Sequence, residues 1–286
     1  MSLEIQPFRS GDMEAVDGVL RAAFKTAYGR IGNLKRYLEI RSSGAFVARI
    51  DGKIVGFGAA MDYGPFAYIG KMGVNPKFQR RGIGSSILKA ILEWLDKRSC
   101  PTALLDASQY GGPLYEKFGF VETDLTAVMY QRNAVLNRPA KEKHGPNHLE
   151  TGVLELSKLL SFDVPRFGAE RSELLRSYYE DDPSRFFVSY DQNGQVDGFL
   201  VAQSRVIGPW VARTPEDAEV LLSEAMELSF SENPTVFVSV SNQEALGLLS
   251  RYGFEKERTQ RHMYRGKPVQ RDRGNSIYAQ ANFSFG

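Results

Sequence analysis

The stretch that most restricts how this chain can fold is Val74-Asn75-Pro76-Lys77-Phe78-Gln79-Arg80-Arg81-Gly82-Ile83-Gly84-Ser85-Ser86-Ile87-Leu88. An apolar run ends at Val74 and a Pro-containing turn follows. A basic, glycine-spaced loop then opens into a helix with apolar residues at 87, 88, 91, 92 and 95. The order is strand, loop, helix N-terminus. Free N–H groups at such a terminus, aided by the helix dipole, form an anion site. Gly82 and Gly84 leave room for a phosphate against the backbone, and Arg80 and Arg81 add charge-assisted donors. The loop reads as a pyrophosphate cradle. Two familiar phosphate loops do not fit it. No Lys-Ser/Thr follows the second glycine, and position 87, where a dinucleotide fingerprint needs a third glycine, is Ile.

Around this loop the first half alternates between strand and helix patterns. Leu3–Phe8 reads as a strand, and Gly11-Asp12 caps a helix with apolar residues at 13, 16, 19, 20, 23 and 24. A second helix is expected from Leu34 to about Arg41. Phe46–Ile50 and Ile54–Met61 form a hairpin across Asp51-Gly52, and Phe66–Val74 feeds the loop. After the helix from Gly82, Thr102–Ala107 is a short strand, Gly112–Phe118 a helix and Val121–Gln131 a closing strand. The order β-α-α-β-β-β-α-β-α-β predicts an α/β fold with a twisted mixed sheet flanked by helices.

Gln79–Gly84 resembles the Q/R-x-x-G-x-G/A loop of the GNAT N-acetyltransferase superfamily, and two further segments carry the likeness over residues 3 to 132. Lys71-Met72-Gly73-Val74 looks like the family's fourth strand, which pairs through its backbone with the pantetheine arm of acetyl-CoA. Gly112-Pro113-Leu114-Tyr115-Glu116-Lys117-Phe118-Gly119-Phe120 looks like its A-x-x-L-Y-x-x-x-G-F signature. The resemblance implies an acyltransferase that binds acetyl-CoA as co-substrate through Met72, Gly73, Val74, Gln79, Arg80, Arg81, Gly82, Ile83, Gly84 and Ser85. It also implies a bulge in the fourth strand, which Gly73 could form unless that glycine marks close packing. Tyr115 matches the family tyrosine that protonates the departing thiolate. For the base that takes the amine's proton, Asp62, Tyr68 and Asp106 are open alternatives. No nucleophile suggests a covalent acetyl-enzyme, so direct transfer in a ternary complex to a primary amine, a small molecule first, is expected. The other reading is a non-catalytic acyl-CoA sensor or interaction protein.

At 286 residues the chain has room for two domains, and its second half restates the first. Residues 1–133 form the expected acetyl-CoA domain, 134–150 a linker, 151–266 a second GNAT-like unit and 267–286 a tail. Gly194–Phe199 echoes Gly52–Phe57, Val206–Val211 falls where Ile69–Val74 fell, and Gln243–Phe254 echoes the Tyr115 region. Where the first half has Gln79–Gly84, the second has Arg213-Thr214-Pro215-Glu216-Asp217-Ala218, a capped helix start without glycines and with two carboxylates. Leu249 stands opposite Tyr115. The second unit is therefore expected to be degenerate, either walling the acceptor cleft or mediating self-association, with a homodimer among the arrangements. Trp210, Arg171 and His262 are candidates for acceptor contacts, set against core or surface roles. The aromatic tail is read either as mobile or as docked through Tyr278, Phe283 and Phe285.

A formal net charge of +2 implies no strong nucleic-acid or membrane field. No run of 18 apolar residues occurs, and Met1–Ser10 lacks a signal-peptide pattern. The single cysteine, Cys100, lies at a turn with no adjacent His and fits a reducing cytoplasm. No metal is expected, because Gly145-Pro146 breaks any helix that would align His144 with His148.

Overall fold

A computed structural model describes residues 2–40, 43–132, 148–151 and 155–286; the greater part of the expected linker, with His144, lies outside the described residues. The first half runs β1 (Leu3–Pro7), α1 (Met13–Phe24), α2 (Ile31–Glu39), β2 (Ser43–Ile50), β3 (Lys53–Asp62), β4 (Ala67–Val74), α3 (Ile83–Lys97), β5 (Thr102–Ala107), α4 (Gly112–Lys117) and β6 (Val121–Gln131). The second repeats that order as β7 (His148–Thr151), α5 (Leu156–Phe167), α6 (Ser172–Asp181), β8 (Phe186–Tyr190), β9 (Val196–Ala202), β10 (Val206–Ala212), α7 (Pro215–Ala225), β11 (Thr235–Ser239), α8 (Gln243–Arg251) and β12 (Phe254–Gly266). A last short strand, β13 (Ile277–Ala279), follows in the tail. β7 opens inside the span expected to be linker and pairs antiparallel with β8.

The two halves share one sheet, ordered β1-β2-β3-β4-β5-β12-β6-β11-β10-β9-β8-β7. β12 of the second half lies between two strands of the first, and β6 of the first lies between two strands of the second. Each half has lent its closing strand to the other. The exchange leaves both β5 and β11 with an antiparallel partner (Asp106 opposite His262, Phe237 opposite Val128), so neither is an open edge.

Helix α3 covers one face. Its buried stripe of Ile83, Ile87, Leu88, Ile91, Leu92 and Leu95 meets the small residues Gly56 and Gly58 on β3, where a methyl group would collide with Ile87. Helices α1 and α2 cover the opposite face, and there the core is continuous with the second half. Phe57, Tyr63 and Phe66 belong to the same buried cluster as Phe167, Phe199 and Phe285. Tyr63 meets Phe167 edge-on with ring centroids 5.1 Å apart, and Tyr37 meets Phe285 at 5.0 Å.

Arg171 lies in this shared core. Its guanidinium holds Asp163 through two 2.8 Å hydrogen bonds and stacks 3.9 Å from the Phe167 ring centroid, with side-chain exposures of 1% and 0% for the pair. Removing one partner of such a pair strands a buried charge. Asp163→Ala is expected to destabilise the fold by about 3–5 kcal/mol, read by urea unfolding; a cost below about 1 kcal/mol would contradict this role. Trp210 is likewise core, fully buried against Tyr278 at 5.0 Å.

Candidate active site in the first half

The loop between β4 and α3 is organised by its own side chains. Asn75 accepts from the Lys77 N–H at 3.1 Å, and the Gln79 amide donates to the Val74 carbonyl at 3.0 Å. Gly82 then turns the chain at φ +79°, where glycine is the least strained residue, and Arg80 just before it also has positive φ. The first backbone hydrogen bond of α3 runs from Ser86 to the Gly82 carbonyl at 3.0 Å. The N–H groups of Ile83, Gly84 and Ser85 precede that bond, and no acidic residue sits in the first turn. Gln79, Arg80, Arg81 and Gly82 are exposed, with the Arg81 guanidinium 5.4 Å from the Phe78 ring centroid. A basic, open helix terminus of this kind fits a pyrophosphate.

The strand leading to the loop forks away from its neighbour. β4 and β5 pair in parallel at only two positions, Ala67 with Ala103 and Tyr68 with Leu104. Beyond them β4 remains paired to β3 alone, through a bulge between the Ala59–Gly70 and Phe57–Gly73 pairs. The bulge is at Lys71, whose φ is +55°, and not at Gly73. Gly73 serves close packing instead: a side chain there would meet Leu20 of α1 at 2.8 Å. The Lys71 ammonium makes no hydrogen bond or ion pair among the described residues; burial and the nearby Arg30 push its pKa well down.

Tyr115 is buried on α4, with its ring edge-on to Phe120 at a centroid distance of 5.8 Å. Burial raises its pKa, so the phenol keeps its proton through the neutral range. The helix that carries it is held by β12, since Arg261 pairs with Glu116 at 2.7 Å and also with Glu122.

On the opposite face at the fork lies a buried polar cluster that sequence reasoning did not assemble. Asp106 of β5 accepts from the Tyr68 hydroxyl, from Thr126 at 2.6 Å and from Gln280 at 2.8 Å, with the His262 Nδ1 at 3.1 Å. Burial works to raise the Asp106 pKa, but the pull of His262, Arg273 and the Gln280 amide outweighs it and holds the carboxyl well below its ordinary range. Burial also pushes the imidazole of His262 down to about 4, with help from Arg273 and only partial opposition from Asp106. At neutral pH the pair is a carboxylate and a neutral imidazole. Asp62, by contrast, sits at the closed end of the fork and is paired with Arg98 at 2.6 Å.

The second half departs from the first at each of these points. Thr214 and Asp217 close a reciprocal capping box on α7, so the chain's own groups satisfy that helix terminus. Leu249, on α8, is fully buried in the core. β10 and β11 fork after only two parallel pairs, Val206 with Thr235 and Ile207 with Val236. That second fork is filled. β13 enters it as an antiparallel partner of β10, Trp210 opposite Ala279 and Val211 opposite Ile277, and the Gln280 N–H donates across to Phe237 of β11 at 3.0 Å.

Comparison with known proteins agrees with this doubled geometry. Residues 15–120 match the model described as the acetyltransferase (GNAT) family, and residues 159–279 match one described as an acetyltransferase (GNAT) domain. The chain is a tandem GNAT protein. It is 26% identical over 216 residues to the uncharacterised N-acetyltransferase YitH of Bacillus subtilis, a match covering 73% of this chain and 74% of that protein. A Pyrococcus horikoshii structure described as an acetyltransferase superposes with a TM-score of 0.86 at 24% identity, covering 99% of this chain and 96% of the other. A tandem GNAT protein from the clavulanic acid biosynthesis pathway superposes at 0.60 with 15% identity, covering 94% of this chain and all of the other. These two likenesses establish the fold. In this tandem GNAT protein, Met72, Gly73 and Val74 line the unpaired side of the first fork, Gln79 to Ser85 form the helix terminus beside it, and Tyr115 lies on the α3 side. Among the described residues no cluster of His, Cys, Asp or Glu is placed to hold a metal ion.

Proposed function

We propose that the first half binds acetyl-CoA and transfers its acetyl group directly to a primary amine, and that the second half has lost this capacity. The observation that carries the reading is the contrast between the two forks. In the second half, β10 and β11 part and the chain's own β13 fills the gap with backbone hydrogen bonds. In the first half, β4 and β5 part in the same way beside a glycine-spaced, acid-free helix terminus. An extended amide-bearing arm can add to the first fork as β13 adds to the second, while its pyrophosphate meets the N–H groups of Ile83, Gly84 and Ser85 and the guanidinium groups of Arg80 and Arg81.

Within that arrangement Tyr115 holds a proton for the leaving thiolate, and the pantetheine pairs along Met72, Gly73 and Val74. The second half walls the acceptor side: Arg205 lies 3.3 Å from the ring centroid of Tyr28, in the α1–α2 connection. The test is thiol release from acetyl-CoA with and without amine. Amine-dependent release supports transfer, whereas binding with no dependence on any amine favours an acyl-CoA sensor. Tyr115→Phe is expected to lower turnover by about 10²-fold with CoA affinity close to wild type. Unchanged turnover at every pH would remove it as the acid.

A further inference from the structure

We propose that His262, supplied by the second half, takes the proton from the amine, and that Asp106 holds it in the reactive tautomer. This rests on the acetyl-transfer reading above. β12 lies against β5 only because the two halves exchange closing strands, and that register sets His262 directly opposite Asp106. The imidazole leans across to Tyr68, its ring stacked at 6.4 Å and 28°. Tyr68 is the last β4 residue paired with β5, and Asp106 lies two positions past its partner Leu104. The pair therefore sits at the mouth of the first fork, on the face opposite Tyr115.

The tautomer follows from the hydrogen bonds. An ionised Asp106 can only accept, so Nδ1 carries the imidazole proton and Nε2 presents its lone pair. Nε2 has no hydrogen-bond partner among the described residues. The groups around the ring are Tyr68 from β4, Asp106 from β5, Asp124 and Thr126 from β6, and Arg271, Arg273 and Gln280 from the C-terminal segment. Desolvation and the two arginines keep the imidazole neutral at pH 7, in the form able to accept.

The proton balance is simple. The ammonium gives one proton to Nε2; its nitrogen forms the C–N bond as the C–S bond breaks; the thiolate takes the Tyr115 proton. The second proton lost by the nitrogen restores the phenol, and the imidazolium releases its own to solvent. One ammonium and one thioester become one amide, one thiol and one free proton. Tyr115 and His262 serve opposite faces of the fork.

The experiment is the pH profile of kcat/KM for an alkylamine acceptor in wild type, His262→Gln and Asp106→Asn, with thermal unfolding and CoA titration on each. An enzyme that deprotonates bound ammonium gives a profile nearly flat from about pH 6 to 9, since the amine's own pKa is near 10. Without the base the amine must deprotonate in solution, so the His262→Gln profile drops about tenfold for each unit the pH is lowered below the amine's pKa, with a loss of about 10²–10³-fold at pH 7. Asp106→Asn, acting through orientation, lowers kcat while CoA affinity holds. A uniform drop in His262→Gln with the flat shape retained gives His262 a structural role and overturns the proposal alone. A wild type that binds acetyl-CoA but acetylates no amine overturns the functional reading, and this inference with it.

Discussion

Arg81→Glu combined with Gly84→Asp is expected to abolish acetyl-CoA binding while leaving the protein folded. Each charge-assisted hydrogen bond to a phosphate contributes about 1.5–3 kcal/mol, and the double change removes a donor and sets two carboxylates where the pyrophosphate belongs. A loss of about 4 kcal/mol or more, roughly 10³-fold in Kd, follows. The fold tolerates the change for two reasons. Arg81 is exposed, and a Cβ at Gly84 meets only Leu114 at 3.4 Å and Val74 at 4.0 Å. An aspartate in the first turn also favours the helix dipole, so α3 is expected to gain slightly in stability as it loses its ligand. Calorimetric titration with thermal unfolding separates the two effects. One site per chain in wild type and none in a folded double variant supports the assignment. Retained affinity would overturn it, and two sites in wild type would mean that the second half also binds.

Much of this site is legible in the sequence because it is local. The cradle is a strand, a turn and a helix start within fifteen residues, and each part has its own signal in glycine, proline or arginine. The N-cap of α7 is readable for the same reason, since Thr214 and Pro215 stand side by side, while the reciprocal bond from Asp217 is seen only in the fold. The bulge is hard to place from sequence because one glycine, Gly73, carries two readings, and close packing is the one the fold uses. Gly73 clears α1, and the left-handed residue is Lys71, a type that gives no such signal.

What was not legible depends on register between distant segments. Nothing local says that β12 pairs with β5 or β6 with β11, because a closing strand looks the same whichever sheet it joins. His262 and Asp106 are therefore separate polar residues in the sequence and a hydrogen-bonded pair in the fold, 156 residues apart. For Arg171 and Trp210 the sequence leaves acceptor contact open against core or surface roles, and both are buried, one with a paired carboxylate and the other by aromatic packing. The tail left two readings open because its aromatics have no period. Their partners lie in both halves.

Deleting residues 277–286 is expected to be the most destabilising change of all, and its effects reach both forks. In the second half it strips β13 from β10 and reopens the gap beside Trp210. In the first half it removes Phe285, which is fully buried against Tyr37, along with the main-chain carbonyls of Ser284 and Phe285 that accept from Tyr37 at 2.8 Å and Tyr63 at 2.7 Å. It also takes Gln280 from Asp106. Truncating one buried phenylalanine costs about 3–5 kcal/mol, against a total stability of about 5–15 kcal/mol for an ordinary protein. Losing the whole segment exceeds what the fold can absorb, so the truncated chain is not expected to give a cooperative thermal transition. Phe285→Ala isolates one part of this. It retains β13 and Gln280, and its Tm is expected to fall by about 6–20 °C, at roughly 2–4 °C per kcal/mol for a chain of this size class. A truncated protein that melts with wild-type Tm would make the tail an accessory. The expected collapse makes it the segment that closes the second fork and ties it to the first.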